Sequence, residues 1–223
     1  MNFGMKNLRD MLNNRKGFTL VEMAIVLIII GIIIGAVVKG KDLVRGAEQK
    51  KVYTKFVNTW RLAYLNFYDR TGKILGDFYD TANAAAGQDG RADTNLDGAG
   101  AVAAADWNAL ITNGGAPAFF GLTDVGLEQP VTNTGTAYIY RYLDSAGGGH
   151  DLTVTFLFDG VNNYNYLEIT NMPNELALAF DTMIDGEADG TNGSFIHGDG
   201  SANWAANAPT TDTTNPVRWK MQF

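Results

Sequence analysis

The sequence contains no cysteine among its 223 residues. That absence excludes thiol catalysis, disulfide staples and zinc–thiolate sites. Histidine is nearly as scarce: His150 follows a triple glycine, His197 precedes Gly198, and neither has metal-ligand spacing to the other or to a paired acid. Ser194 lies three residues before His197 in a Gly-rich segment without a nucleophile elbow, and no phosphate-binding glycine motif is present. Catalysis is therefore not expected. Charge is sparse at 18%, against 46% apolar residues, which places the chain well away from disordered compositions and gives it the means to build a core. The length allows one domain, or one domain with an appendage. Proline is absent from residues 18–70, so nothing there forbids a long uninterrupted helix.

What charge there is lies unevenly. Residues 1–17 hold Lys6, Arg9, Arg15 and Lys16 against Asp10, a net +3, which leaves −10 of the overall −7 for the remainder. A basic tip precedes an acidic body, and that acidity repels phosphate backbones, so nucleic acid is not an expected partner.

Between Phe18 and Val38 the chain reads FTLVEMAIVLIIIGIIIGAVV, with Glu22 its only charge and Thr19 its only other polar side chain. As a helix this run is about 30 Å long, the hydrocarbon thickness of a bilayer. It is too long, and Gly35-Ala36-Val37-Val38 too poor a cleavage site, for an ordinary secretory signal. Basic residues flank both ends, Lys39, Lys41, Arg45, Lys50, Lys51 and Lys55 following the run, so the flanking count alone does not orient it. Glu22 is costly there, on the order of 3 kcal/mol on insertion scales. Either it reaches the boundary water, or it meets a positive partner.

Lys16-Gly17-Phe18-Thr19-Leu20-Val21-Glu22 resembles the processing site of the type IV pilin and type II secretion pseudopilin family: a basic leader ending in glycine, an aromatic first residue, a glutamate four residues on, and an apolar run without a spacer. The resemblance covers about 25 residues. It implies cleavage between Gly17 and Phe18 by a membrane prepilin peptidase on the cytoplasmic side, and N-methylation of the new Phe18 amine. It implies also that residues 1–17 are a leader, and that the precursor spans the inner membrane once with its leader cytoplasmic and its head extracytoplasmic. The implied partners are further copies or related pilins, the peptidase and methylase, and an inner-membrane assembly machinery, and the implied product is a cell-surface or periplasmic filament. Glu22 then acts as an assembly key, because the Phe18 amine of one subunit pairs with the carboxylate of a neighbour in an apolar filament core, where low dielectric penalises a mismatched pair.

After Gly40 the pattern Val44, Ala47, Val52, Phe56, Trp60, Ala63 and Phe67, with Tyr53, Val57 and Tyr64 beside it, predicts that the helix continues to residue 70 with one apolar stripe. Residues 18–39 are expected to span and assemble, 40–70 to form an amphipathic continuation, and 71–223 to form a head. A short helix is expected near Trp107, ended by Asn113-Gly114-Gly115. Alternating runs predict strands over Thr136–Leu143, Asp151–Phe158 and Tyr164–Thr170 as a meander, then a helix over Glu175–Ile184, a brief strand over Gly193–His197 and a last one over Val217–Phe223. The fold class is α+β, a long helix packed on a small antiparallel sheet with long loops.

Two loops are rich in carboxylates. Asp93, Asn95 and Asp97 place oxygens at alternate positions, as the first half of a calcium loop does, with Asp89 and Asp106 near enough to complete a cage; Ala104 stands where an EF-hand has its bidentate glutamate. Asp185, Glu187 and Asp189, preceded by Asp181, form the second. A structural calcium ion at either loop is the one cofactor expectation, against the plain preference of Asp, Asn and Gly for turns. Asn192-Gly193-Ser194 matches a glycosylation sequon, with a turn the alternative reading. Two function classes follow: a filament subunit, or a single-pass anchored protein whose head binds a ligand or partner without polymerising. Gly17 and Glu22 favour the first, since a plain anchor needs neither.

Overall fold

The computed structural model describes residues 17–77, 90–92, 104–112, 121–204 and 216–221. Two units are present, one ending at Gly46 and one beginning at Ala47.

In the first unit, helix α1 (Leu20–Val52) begins immediately after the basic tip. Leucine, isoleucine, valine, methionine and alanine fill it, and although β-branched residues are only moderate helix formers, a helix satisfies every backbone group internally, which an apolar medium requires. From Phe18 to Val44 every residue is exposed, and over Phe18–Val38 the helix is apolar all round apart from Glu22 and Thr19, with no described residue covering it.

The second unit starts on the last turns of α1, where Gln49 and Val52 become buried. The expected single helix is not uniformly α: Tyr53–Val57 is a π-helical turn, and α2 (Asn58–Thr71) follows. The wider spacing is visible in the hydrogen bonds. The Asn58 amide donates to the carbonyl of Tyr53, five residues back, and the Thr59 hydroxyl donates to both Thr54 and Lys55 carbonyls at 3.2 and 3.1 Å. The extra residue in that turn lets Phe56 and Val57 be buried side by side and continues the stripe through Trp60, Ala63, Tyr64 and Phe67. Gly72, in the left-handed conformation at φ 68°, ends α2 with its amide on the Tyr68 carbonyl.

The stripe packs on a five-stranded antiparallel sheet in the order β1 (Ile139–Leu143), β2 (Gly149–Asp159), β3 (Tyr164–Thr170), β5 (Val217–Lys220), β4 (Phe195–His197). Period-two alternation sends Tyr140, Leu152, Val154, Phe156, Leu167, Ile169, Val217 and Trp219 to the buried face. Phe56 meets Tyr140 with ring centroids 5.3 Å apart, Tyr64 stacks on Phe156 at 5.2 Å, and the indole of Trp60 donates to the Ala137 carbonyl at 3.0 Å. Helix α4 (Asn174–Ile184), started by extended Pro173, adds Leu176, Ala177 and Phe180 to the same core. Helix α3 (Ala104–Ile111) brings Trp107 onto Tyr138.

The strand expectations hold in the interior and shift at the ends. β1 starts at Ile139 rather than Thr136, because the carbonyl of Thr136 accepts bonds from the Thr132 and Thr134 hydroxyls and from the Ile139 amide, which makes 136–138 a turn. β4 excludes Gly193, whose φ of 89° is incompatible with a strand. Asn113-Gly114-Gly115 and residues 222–223 lie outside the described residues.

Both sheet edges are partly closed. At β1 the amide of Asn133 bonds the backbone of Arg141 as a neighbouring strand would, accepting from its N–H and donating to its C=O at 2.8 Å each, and the Thr134 hydroxyl takes the Ile139 carbonyl. At β4 the Phe195 amide donates to the Asp185 carboxylate, the His197 amide to the Gly190 carbonyl, and Gly200 returns a bond to the His197 carbonyl. Such closure removes part of the template on which another strand pairs.

Candidate processing and assembly site

Gly17, Phe18 and Thr19 precede the first helical residue, and all are exposed, Phe18 by 78%. The space around Gly17 is open: a Cβ built there meets nothing within 4 Å. Non-helical, uncovered backbone at this junction is what a protease can bind in extended form.

Thr19 and Glu22 form a reciprocal helix start. The Thr19 hydroxyl accepts from the Glu22 amide at 3.2 Å, while one Glu22 carboxylate oxygen accepts from the Thr19 amide at 2.8 Å and the Thr19 hydroxyl at 2.9 Å. This is a capping box, with Thr19 before the helix and Glu22 at its third position. It satisfies two amides that the helix end would otherwise orphan, and it puts a negative charge at the positive end of the helix dipole. The costly carboxylate of the apolar run thus has local partners one residue from Phe18. The Thr-x-x-Glu spacing carried this signal in the sequence.

The other candidate residues divide differently. Asp93, Asn95 and Asp97, with Asp89 and the side chain of Asp106, lie outside the described residues. In the second loop the three carboxylates do not share a centre. Asp185 accepts from the Ser194 amide and hydroxyl and from the Phe195 amide at 2.7–2.9 Å. Asp189 accepts from the Thr191 amide and hydroxyl and from the Asn192 side chain, and these bonds, Asn192 first, hold its carboxyl below the usual range. Glu187 is exposed. Among the described residues no group of three or more His, Asp or Glu side chains is placed to hold a metal ion. The Asn192 amide of the sequon is held by Asp189, and the Ser194 hydroxyl faces Asp185 rather than His197.

His150, expected to lack a paired acid, has one: its Nε2 lies 2.9 Å from the Asp144 carboxylate across the β1–β2 turn. The same carboxylate accepts from the Ala146 and Gly148 amides, and the His150 bond, the largest effect, holds it below the usual range. This pair locks a turn. Two further groups escaped sequence reasoning. Asp181 is fully buried with the Trp204 indole donating to it at 2.5 Å, and burial pushes its carboxyl up to about 6. Arg218 lies between Asp159 and Glu168, at 3.6 and 3.8 Å, on the face of the sheet opposite α2.

Residues 12–38 match the model of the prokaryotic N-terminal methylation motif, the signature of type IV pilin-like prepilins. The match spans the end of the basic tip with Arg15 and Lys16, the Gly17–Phe18 junction, Glu22 and the whole apolar run, and leaves the head outside it. No curated protein and no solved structure matches the chain.

Proposed function

We propose that the chain is a filament subunit, made as a prepilin, cut between Gly17 and Phe18, methylated on the Phe18 amine and polymerised through its apolar helix. The observation that carries this reading is the placement of Glu22: a single carboxylate in a 21-residue uncharged run, four residues after the junction, inside the matched motif. Cleavage turns the Phe18 amide into a cationic amine. In a single subunit Thr19 satisfies Glu22, so the precursor can rest in a bilayer without a partner. In a filament core, a neighbour's Phe18 ammonium brings full opposite charge to the same carboxylate, and low dielectric makes a subunit one register out of place costly.

The remaining parts of the reading are what the pilin-like motif implies. The peptidase and methyltransferase act at the cytoplasmic surface, where the basic tip stays, and the head crosses the membrane. The product is a pilus or a secretion-type pseudopilus, and the chain itself carries no catalysis. The test is mass spectrometry of membrane-extracted protein: the expected species starts at Phe18 and is one methyl group heavier than the bare residue. A chain that still begins at Met1, or one cut near Gly40, overturns the proposal.

A further inference from the structure

Lys50, Lys51 and Lys55 lie on the side of the helix away from buried Gln49, Val52 and Phe56, and all three are exposed. None of them makes an ion pair with a described residue. A positive helix face left without a counter-charge is open to an anionic partner. Two chemistries could supply one, an anionic lipid headgroup or an acidic protein surface.

Distance decides between them. On α1, Lys50 comes twelve residues after Val38, the end of the apolar run, a rise of about 18 Å. The polar headgroup zone extends only about 5–8 Å past the hydrocarbon on each side. Lys39 and Lys41 stand within it; Lys50 and Lys51 stand beyond it by about a Debye length, and Lys55 lies farther along the chain. The acidic surface is abundant in this same chain. Residues 56–223 carry 20 acidic and 7 basic side chains, and residues 142–217 contain no lysine or arginine, while exposing Asp185, Glu187 and Asp199. A basic face and an acidic body on one molecule fit each other between copies, and such a contact between unlike surfaces propagates as an open filament when its rotation does not close.

We propose that the Lys50–Lys51–Lys55 face docks the acidic head of a second copy and so adds a charge-matched contact above the membrane to the apolar one within it. This inference rests on the filament reading above. Electrostatic pairing of this kind selects partner and orientation more than it adds affinity.

The test uses the full chain in cells where it assembles. Lys50→Glu, Lys51→Glu and Lys55→Glu together should lower the yield of sheared filaments about ten-fold, the scale of a few exposed ion pairs, with membrane level unchanged. Lys39→Glu with Lys41→Glu should leave yield within about two-fold. Wild-type filaments moved from 0.15 M to 1 M salt, where screening shortens from about 8 to 3 Å, should release subunits. Triple-variant filaments at wild-type yield, or wild-type filaments indifferent to salt, overturn the inference. So does a triple variant that loses flotation with phosphatidylglycerol-containing vesicles but not with phosphatidylcholine alone, since the lipid is then the partner. A wild type that forms no filament fails the underlying reading instead, which separates the two failures.

Discussion

The apolar helix and the head treat unsatisfied surface in opposite ways. From Phe18 to Val44 no residue is covered, and over Phe18–Val38 the side chains offered are mostly branched aliphatics. The head occupies much of its strand edges instead: Asn133 and Thr134 bond the β1 edge at Arg141 and Ile139, and Asp185, Gly190 and Gly200 bond the β4 edge. A chain built to polymerise needs one strong self-complementary surface and must deny the others, because a second sticky element would compete for register. On the filament reading proposed above, the contrast places polymerisation in the helix and leaves to the head only contacts through charged, screened surface.

The largest expected effect comes from the helix. Glu22→Ala removes the carboxylate half of the capping box and the counter-charge, leaving a Phe18 ammonium unpaired in the proposed assembled core, a loss of about 3–5 kcal/mol. Membrane insertion should be unaffected or improved, since the run loses its one charge. Filament yield should fall a hundred-fold or more, read by shearing and immunoblot. Normal filaments from this variant would remove the contrast altogether.

Next comes the core that holds the head's stripe in place. Trp60 is fully buried, stands 6.0 Å from Phe156 and donates to Ala137. Trp60→Ala should cost about 3–5 kcal/mol, visible as early melting of the detergent-solubilised chain, while the helix signal of the membrane segment persists. A single coincident loss of both signals would mean the two units share their stability.

Smaller is the effect of opening an edge. Asn133→Ala deletes two hydrogen bonds to Arg141 and should cost about 1–2 kcal/mol. More telling, it exposes the backbone of Arg141 on β1, so the variant should form concentration-dependent oligomers in detergent that the wild type does not. A monomeric variant at high concentration would show that edge closure has no part in keeping heads apart.

What the sequence disclosed divides along the same line. The junction, Glu22 and the apolar run were legible because their information is local: spacing along one helix start and an unbroken composition. The strands over 151–158 and 164–170 and the helix over 175–184 were legible by period, since one face of each is buried. The π turn at Tyr53–Val57 was not, because Tyr-Thr-Lys-Phe-Val is compatible with plain helix and only the sheet opposite requires the extra residue. Edge closure by Asn133, the Asp144–His150 lock and the Asp181–Trp204 bond join residues six to 23 positions apart. Their partners are chosen by tertiary packing, which no local pattern encodes. In the acidic loop at 185–189 the carboxylates were legible, but the Ser194, Phe195, Thr191 and Asn192 groups that bond them were not.

The smallest effect concerns Asp181, where the head tolerates a buried acid rather than excluding it. Burial raises its carboxyl to about 6, with Asp185 and Asp189 adding to the rise and the Trp204 indole opposing it. A carboxyl whose folded pKa lies above its ordinary value of about 4 contributes stability that is present below pH 4 and is lost as pH climbs through 6. Asp144, Asp159 and Asp189 run the other way, each held low, and contribute stability that is lost as pH falls below 4. The total pH profile mixes both signs, so the informative quantity is the difference between the wild type and Asp181→Asn. Asparagine keeps the acceptor for the Trp204 N–H and cannot ionise, but it must place two amide hydrogens in a buried site, which reduces its gain. At pH 7.5 the variant should therefore be more stable by about 1 kcal/mol, a rise of about 2–4 °C in Tm for a domain of this size. At pH 4, where the wild-type carboxyl is protonated, the two should melt together or the wild type slightly later. A difference that stays constant from pH 4 to 7.5 would mean that Asp181 does not titrate in the fold and that its bond to Trp204 is made by a permanently charged group.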